Sequence, residues 1–148
     1  MMPADLSTDV FRQALADASA TDELDAKIAA SVATRGLQRC PLPYHHEVGY
    51  DNPEFRAAVV LCVATLRMIA RKKRTGVTDA SDYYWKHQAE SMSAKFGERQ
   101  YVPRAAMIIA ADIEGIDVFE YHQKPQSNGG YTPSGSLAVA PVAAWRAA

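Results

Sequence analysis

The segment "PEFRAAVVLCVATLRMIARKKR", residues 53–74, is apolar on nearly every side through its first half, and this constrains the fold more than any other feature of the chain. A helix without a polar face must be enclosed by other elements or covered by another subunit. Asn52 and Pro53 supply an N-cap and a first-turn proline, and Gly76 supplies a C-terminal stop, so the pattern predicts one long helix running from Pro53 through the four cations Arg71–Arg74. A second segment of the same character, "RAAMIIAADIEG", starts after Pro103 and ends at Gly115. Two such helices in 148 residues predict a homo-oligomer, because one small chain has limited interior in which to hide both.

Three further helices follow from periodicity and caps. Ser7 or Thr8 opens the first, which places Val10, Phe11, Ala14, Leu15 and Ala18 on one face. The second follows Thr21, carries Leu24, Ile28 and Val32 at helical spacing, and stops at Gly36. The fourth in chain order starts at Thr78 or Asp79 and lays Trp85, Ala89, Met92 and Phe96 along one stripe before Gly97. Residues 37–52, with Pro41, Pro43 and Gly49, form the longest internal loop.

After Gly115 the character changes. "IDVFEYH" has strand propensity, residues 123–136 are rich in Gly, Pro and Ser, and "LAVAPVAAW" is apolar again. A short antiparallel β-pair is one outcome, and a disordered arm anchored by Trp145 is the other. The predicted architecture is therefore mainly α: a compact bundle of about five helices over residues 1–122, followed by a flexible C-terminal arm over 123–148.

The net charge of −1 hides a strong asymmetry. Residues 35–75 hold eight cations against Glu47, Asp51 and Glu54, and the segments on either side are acidic. That distribution predicts either an internal electrostatic match or a bipolar surface. Cations in a last helical turn complement the exposed carbonyls, so Arg71–Arg74 have an ordinary role available at a helix end. With Arg67, the same residues (Arg71, Lys72, Lys73 and Arg74) also have the charge density for phosphate, which makes nucleic-acid binding an alternative. A helix-turn-helix is disfavoured because Asp79 and Asp82 would face the phosphates.

Catalytic signatures are missing: no Gly-rich phosphate loop, no Ser-His-Asp order and no H-E-x-x-H occurs. The loop "CPLPYHHEVGYD" gathers Cys40, His45, His46 and Glu47, and a metal-dependent enzyme centred on the last three is the second alternative. Cys40 lacks a supporting nucleophile motif, and Cys62 sits mid-helix as a small buried hydrophobe. His87 and Glu90 are spaced i, i+3 and read as a surface contact. No cofactor is expected. The longest apolar run, Ala57–Ala70, is broken by Thr65 and Arg67 and falls short of a bilayer crossing, and the N-terminus lacks a signal-like apolar core, which predicts a cytoplasmic protein without membrane contact. The leading expectation is a non-catalytic protein–protein interaction factor, of the kind small bacterial or phage accessory or inhibitor proteins provide. Trp145, Tyr131, Tyr44 and Tyr50 are the expected partner-binding aromatics.

Overall fold

The structure is a computed structural model that describes residues 7–37, 49–73, 81–125 and 131–142. In chain order the elements are α1 (Thr8–Ser19), α2 (Leu24–Arg35), α3 (Pro53–Ile69), β1 (Ala70–Lys72), α4 (Asp82–Phe96), α5 (Arg104–Ile113), β2 (Val118–Pro125), β3 (Tyr131–Leu137) and β4 (Val139–Pro141). The described residues are thus mostly α-helical, with two short antiparallel strand pairs. No helix among them is long and apolar enough to cross a membrane.

The caps act where the sequence places them. The Ser7 hydroxyl accepts the Val10 N–H, and the Asn52 side chain accepts the N–H groups of Glu54 and Phe55 ahead of Pro53. Gly36 closes α2 in the left-handed conformation at φ 66°, which a side chain would resist.

The two apolar helices form the centre. α5 packs against α2, α3, α4 and β3, and Ala105 through Ala111 have no solvent exposure at all. α3 packs against α1, α4 and α5, burying eleven of its residues between Phe55 and Ile69. Burying a large aliphatic side chain contributes about 1.5–3 kcal/mol, so residues such as Leu61, Ile108 and Ile109 supply much of the driving force. The apolar surplus that suggested a homo-oligomer is consumed inside one chain, and that ground for self-association is gone.

α3 ends earlier than the sequence predicts. Instead of continuing to Gly76, the helix stops at Ile69, and Ala70 turns extended at φ −114°, ψ 146°. Ala70, Arg71 and Lys72 then pair with Pro141, Ala140 and Val139. The Ile69 carbonyl accepts the Val142 N–H at 2.7 Å, and the Lys73 N–H donates to Ala138 at 2.8 Å. A strand from the far side of the sequence thus takes the hydrogen bonds that a further helical turn would have made, and local helix propensity loses to it.

The segment expected to form an arm contains that strand. Residues 131–141 run as one extended stretch, paired first with β2 and then with β1, and Leu137, Ala138 and Val139 at the changeover are buried. Between Phe119 and His122 the β2–β3 ladder is irregular, with Glu120 at φ 54°, a bulge that bends β2. Gly135 sits where a Cβ would lie 2.6 Å from Val118 Cγ1 and 3.2 Å from the Phe119 carbonyl oxygen. Gly135→Ala is therefore expected to cost about 1–3 kcal/mol by overpacking, read as a lower denaturation midpoint. An unchanged midpoint would mean that β2 yields freely at this point.

Candidate functional site

α4 carries an unusual inner face. Alongside Trp85, Ala89 and Met92 it buries Asp82, Lys86, Glu90 and Ser93. Charged groups are enclosed this deeply only when paired and hydrogen-bonded, and two networks satisfy them here.

The first joins the starts of α4 and α5 to β3. Asp82 has no solvent exposure, and its Oδ2 accepts Arg104 Nε at 2.8 Å. Its Oδ1 accepts both Arg104 Nη2 and the Gly135 N–H at 3.0 Å. Arg104 Nη2 also donates to the Ser134 hydroxyl at 2.8 Å. The Asp82 hydrogen bond raises the guanidinium pKa of Arg104 above its ordinary value despite partial burial. Asp82 is the first residue of α4, so its charge also complements the helix N-terminus.

The second network centres on Glu90, which is 3% exposed. Oε2 accepts Lys86 Nζ at 3.2 Å and the Val102 N–H at 2.9 Å; Oε1 faces His87 Nδ1 at 3.0 Å and accepts Arg99 Nη2 at 3.1 Å. All four acceptor positions of the carboxylate are used. Lys86 Nζ also donates to the Val102 carbonyl at 3.0 Å, so the Lys86–Glu90 pair clamps both polar groups of that residue. The Ser93 hydroxyl accepts the Gln100 N–H and donates to the Glu90 carbonyl. Side chains of α4 thereby supply the hydrogen bonds that the extended α4–α5 connection lacks. Burial opposes ionisation of Glu90, but the Val102 N–H, Lys86 and His87 outweigh it and hold the carboxyl below the usual range.

Above these buried carboxylates lies a tyrosine and cation surface. Tyr83 is 51% exposed and Tyr101 48%. Lys86 Nζ lies 4.8 Å from the Tyr101 ring centroid, and the Arg104 guanidinium lies 5.2 Å from that of Tyr83. His87 meets Tyr83 edge-on at 4.4 Å. Partial burial and the Glu90 carboxylate push the Tyr101 phenol above its ordinary pKa.

The sequence-derived candidates are dispersed. Arg67 is held by Glu114, with bonds of 3.0 and 2.9 Å, and donates to the Thr21 hydroxyl. Arg71 and Lys72 lie exposed on β1, Lys73 follows it, and Arg74 lies outside the described residues. The cation block is thus not a helical end. Arg56 pairs with Asp25 and Arg35 with Asp112, so much of the basic middle is matched by the acidic flanks. Tyr50 packs edge-on against Phe55 at 5.0 Å, and Tyr131 lies partly exposed on β3. Tyr44, Trp145, Cys40, His45, His46 and Glu47 lie outside the described residues.

Among the described residues no group of three or more His, Cys, Asp or Glu could hold a metal ion. His87 and Glu90 do meet, as their spacing suggests, but Glu90 faces inward as a structural hub. Burial raises the pKa of the Cys62 thiol, which removes its nucleophilic character. Cavities open elsewhere among the described residues. One of about 550 Å³ lies between α2 and the start of α3, lined by Ile28, Val32, Tyr50 and Pro53. Another of about 380 Å³ is lined by Lys27, Ser31, Thr34, Arg35 and Asp112. The Ser31 hydroxyl there donates to Asp112, which also receives Arg35, so neither group is poised as a nucleophile or base.

Sequence reasoning missed Tyr83, Lys86, Arg99, Tyr101 and Arg104. The available signal was the spacing of Asp82, Lys86 and Glu90, one helical turn apart on the flank of the apolar stripe. Comparison of the chain with protein-family models, with curated proteins and with solved structures returns no match.

Proposed function

We propose that this chain is a non-catalytic protein–protein interaction factor and that the surface around Tyr83 and Tyr101 is its contact face, carried on a compact helical bundle. The supporting observation is the pair of exposed tyrosines set among arginines that buried carboxylates hold in place. Tyr and Arg dominate binding hot spots, and anchoring them before contact lowers the ordering cost of association.

The test is photo-cross-linking. With p-benzoylphenylalanine at position 101, irradiation in an extract of the source cells is expected to yield a discrete protein adduct. The same group at Val10, exposed on α1, serves as the control and is expected to give none. Equal labelling from both positions, or no adduct from position 101, would remove the reading. An adduct with a second copy of the chain would make the face a homo-oligomer contact.

Nucleic-acid binding remains the second reading on one observation: Arg71 and Lys72 are exposed on β1 and form no ion pair among the described residues. It predicts binding that weakens steeply with salt and depends on those two side chains.

A further inference from the structure

We infer that the partner presents an acidic segment, rich in Asp and Glu, to the Tyr83–Tyr101 surface; this rests on that surface being the contact face. The charges of the face are sorted by depth. Both carboxylates, Asp82 and Glu90, lie inside, at 0% and 3% side-chain exposure. Of the cations that hold them, Arg99 and Arg104 reach solvent, with 59% and 28% of their side chains exposed, while Lys86 stays inside at 8%. A body approaching from outside therefore meets positive charge, with the compensating negative charge screened beneath it.

Arg99 has the geometry to engage such a body. Its one hydrogen bond to Glu90 uses Nη2 alone, leaving Nε and Nη1 without a hydrogen bond among the described residues. A guanidinium fork can take a second carboxylate through that free side. The half-exposed Tyr101 hydroxyl adds a neutral donor. Glu98, exposed next in sequence to Arg99, is the acid on this stretch that a partner carboxylate would have to avoid.

The same surface is poorly suited to a single-stranded nucleic acid. Stacking of bases needs open ring faces. Here Arg104 and His87 already occupy the ring of Tyr83, and Lys86 sits over that of Tyr101. These contacts take up ring surface that a stacked base would need and leave the two hydroxyls to a peptide's polar groups.

Fluorescence anisotropy with three labelled probes tests the inference: a synthetic peptide rich in Glu and Asp with interspersed Leu and Phe, its counterpart with every acid replaced by Lys, and an oligothymidylate. The acidic peptide is expected to bind and to weaken with salt, and the basic counterpart is expected not to bind. Arg99→Glu should weaken the acidic peptide about tenfold or more, while Arg99→Lys retains most of the affinity. Arg99 is largely exposed, and circular dichroism on each variant establishes that the fold is intact. Failure of the acidic peptide to bind, or binding indifferent to Arg99→Glu, overturns the inference. Tighter binding of oligothymidylate that is lost with Arg99→Glu also overturns it, since the face would then serve nucleic acid. Loss of oligothymidylate binding through Arg71→Glu and Lys72→Glu instead, with acidic-peptide binding unchanged, supports the assignment by placing any nucleic-acid contact on β1. A cross-linked protein adduct from position 101 combined with no acidic-peptide binding would sink the partner chemistry and leave the contact face standing.

Discussion

Replacing Asp82 by alanine is expected to lower the stability of the fold by about 3–5 kcal/mol, read as a reduced urea midpoint at an unchanged slope. The cost comes from what the substitution leaves behind. Arg104 would lose both of its bonds to the carboxylate, and the buried Gly135 N–H would lose its acceptor. Three elements meet at this one side chain, so no neighbour can replace it without moving α4, α5 or β3. Asp82→Asn should fall between wild type and alanine, because an amide oxygen can still accept a bond while the charge that balances Arg104 is gone. A loss below about 1 kcal/mol for the alanine variant would mean that Arg104 swings to solvent and behaves as a surface ion pair.

Glu90→Ala should cost a similar amount, about 3–5 kcal/mol, since it strands Lys86 in the interior and frees the Val102 N–H. Glu90→Gln separates the two contributions: it can still accept hydrogen bonds but no longer neutralises Lys86. The wild-type protein adds a pH signature. The folded-state pKa of Glu90 is depressed, so its contribution is fully present above the unfolded value of about 4.3 and is lost as pH falls through the folded value below that. Stability measured from neutral pH downward should therefore hold until the acid range and then drop, and the drop should be smaller in Glu90→Gln. Superimposable acid profiles for the two proteins would show that other carboxylates control acid unfolding.

Much of the helical framework was legible. The two apolar segments identified the central helices, and Ser7, Asn52-Pro53, Gly36, Gly97 and Gly115 marked boundaries through local chemistry that tertiary contacts did not override. The end of α3 was not legible, because it depends on Val139–Pro141, a strand remote in sequence, rather than on the helix-favouring residues at the site itself. The buried carboxylates escaped notice for another reason. Hydrophobic periodicity treats Asp, Lys and Glu as outward-facing, whereas Asp82, Lys86 and Glu90 turn inward, each neutralised by an opposite charge. Asp82, one of the two acids that argued against a DNA contact, is in fact an interior anchor, and Asp79 lies outside the described residues. Alternating sign at one-turn spacing beside a tryptophan is compatible with both placements, and only the positions of Arg104, Val102 and Gly135 decide between them.

The ladder between β1 and β4 has a consequence for how the chain reaches this state. Ala70 must find Pro141 across roughly half the sequence, and such pairings incur loop-closure entropy before they return any contact energy. Helices α1 to α3 can form from local contacts as soon as they are synthesised. Until residues 131–142 have been synthesised, however, the Ile69 carbonyl lacks its Val142 partner and the core lacks Leu137 and Val139. Completion of the core therefore waits on strands that are synthesised well after α3.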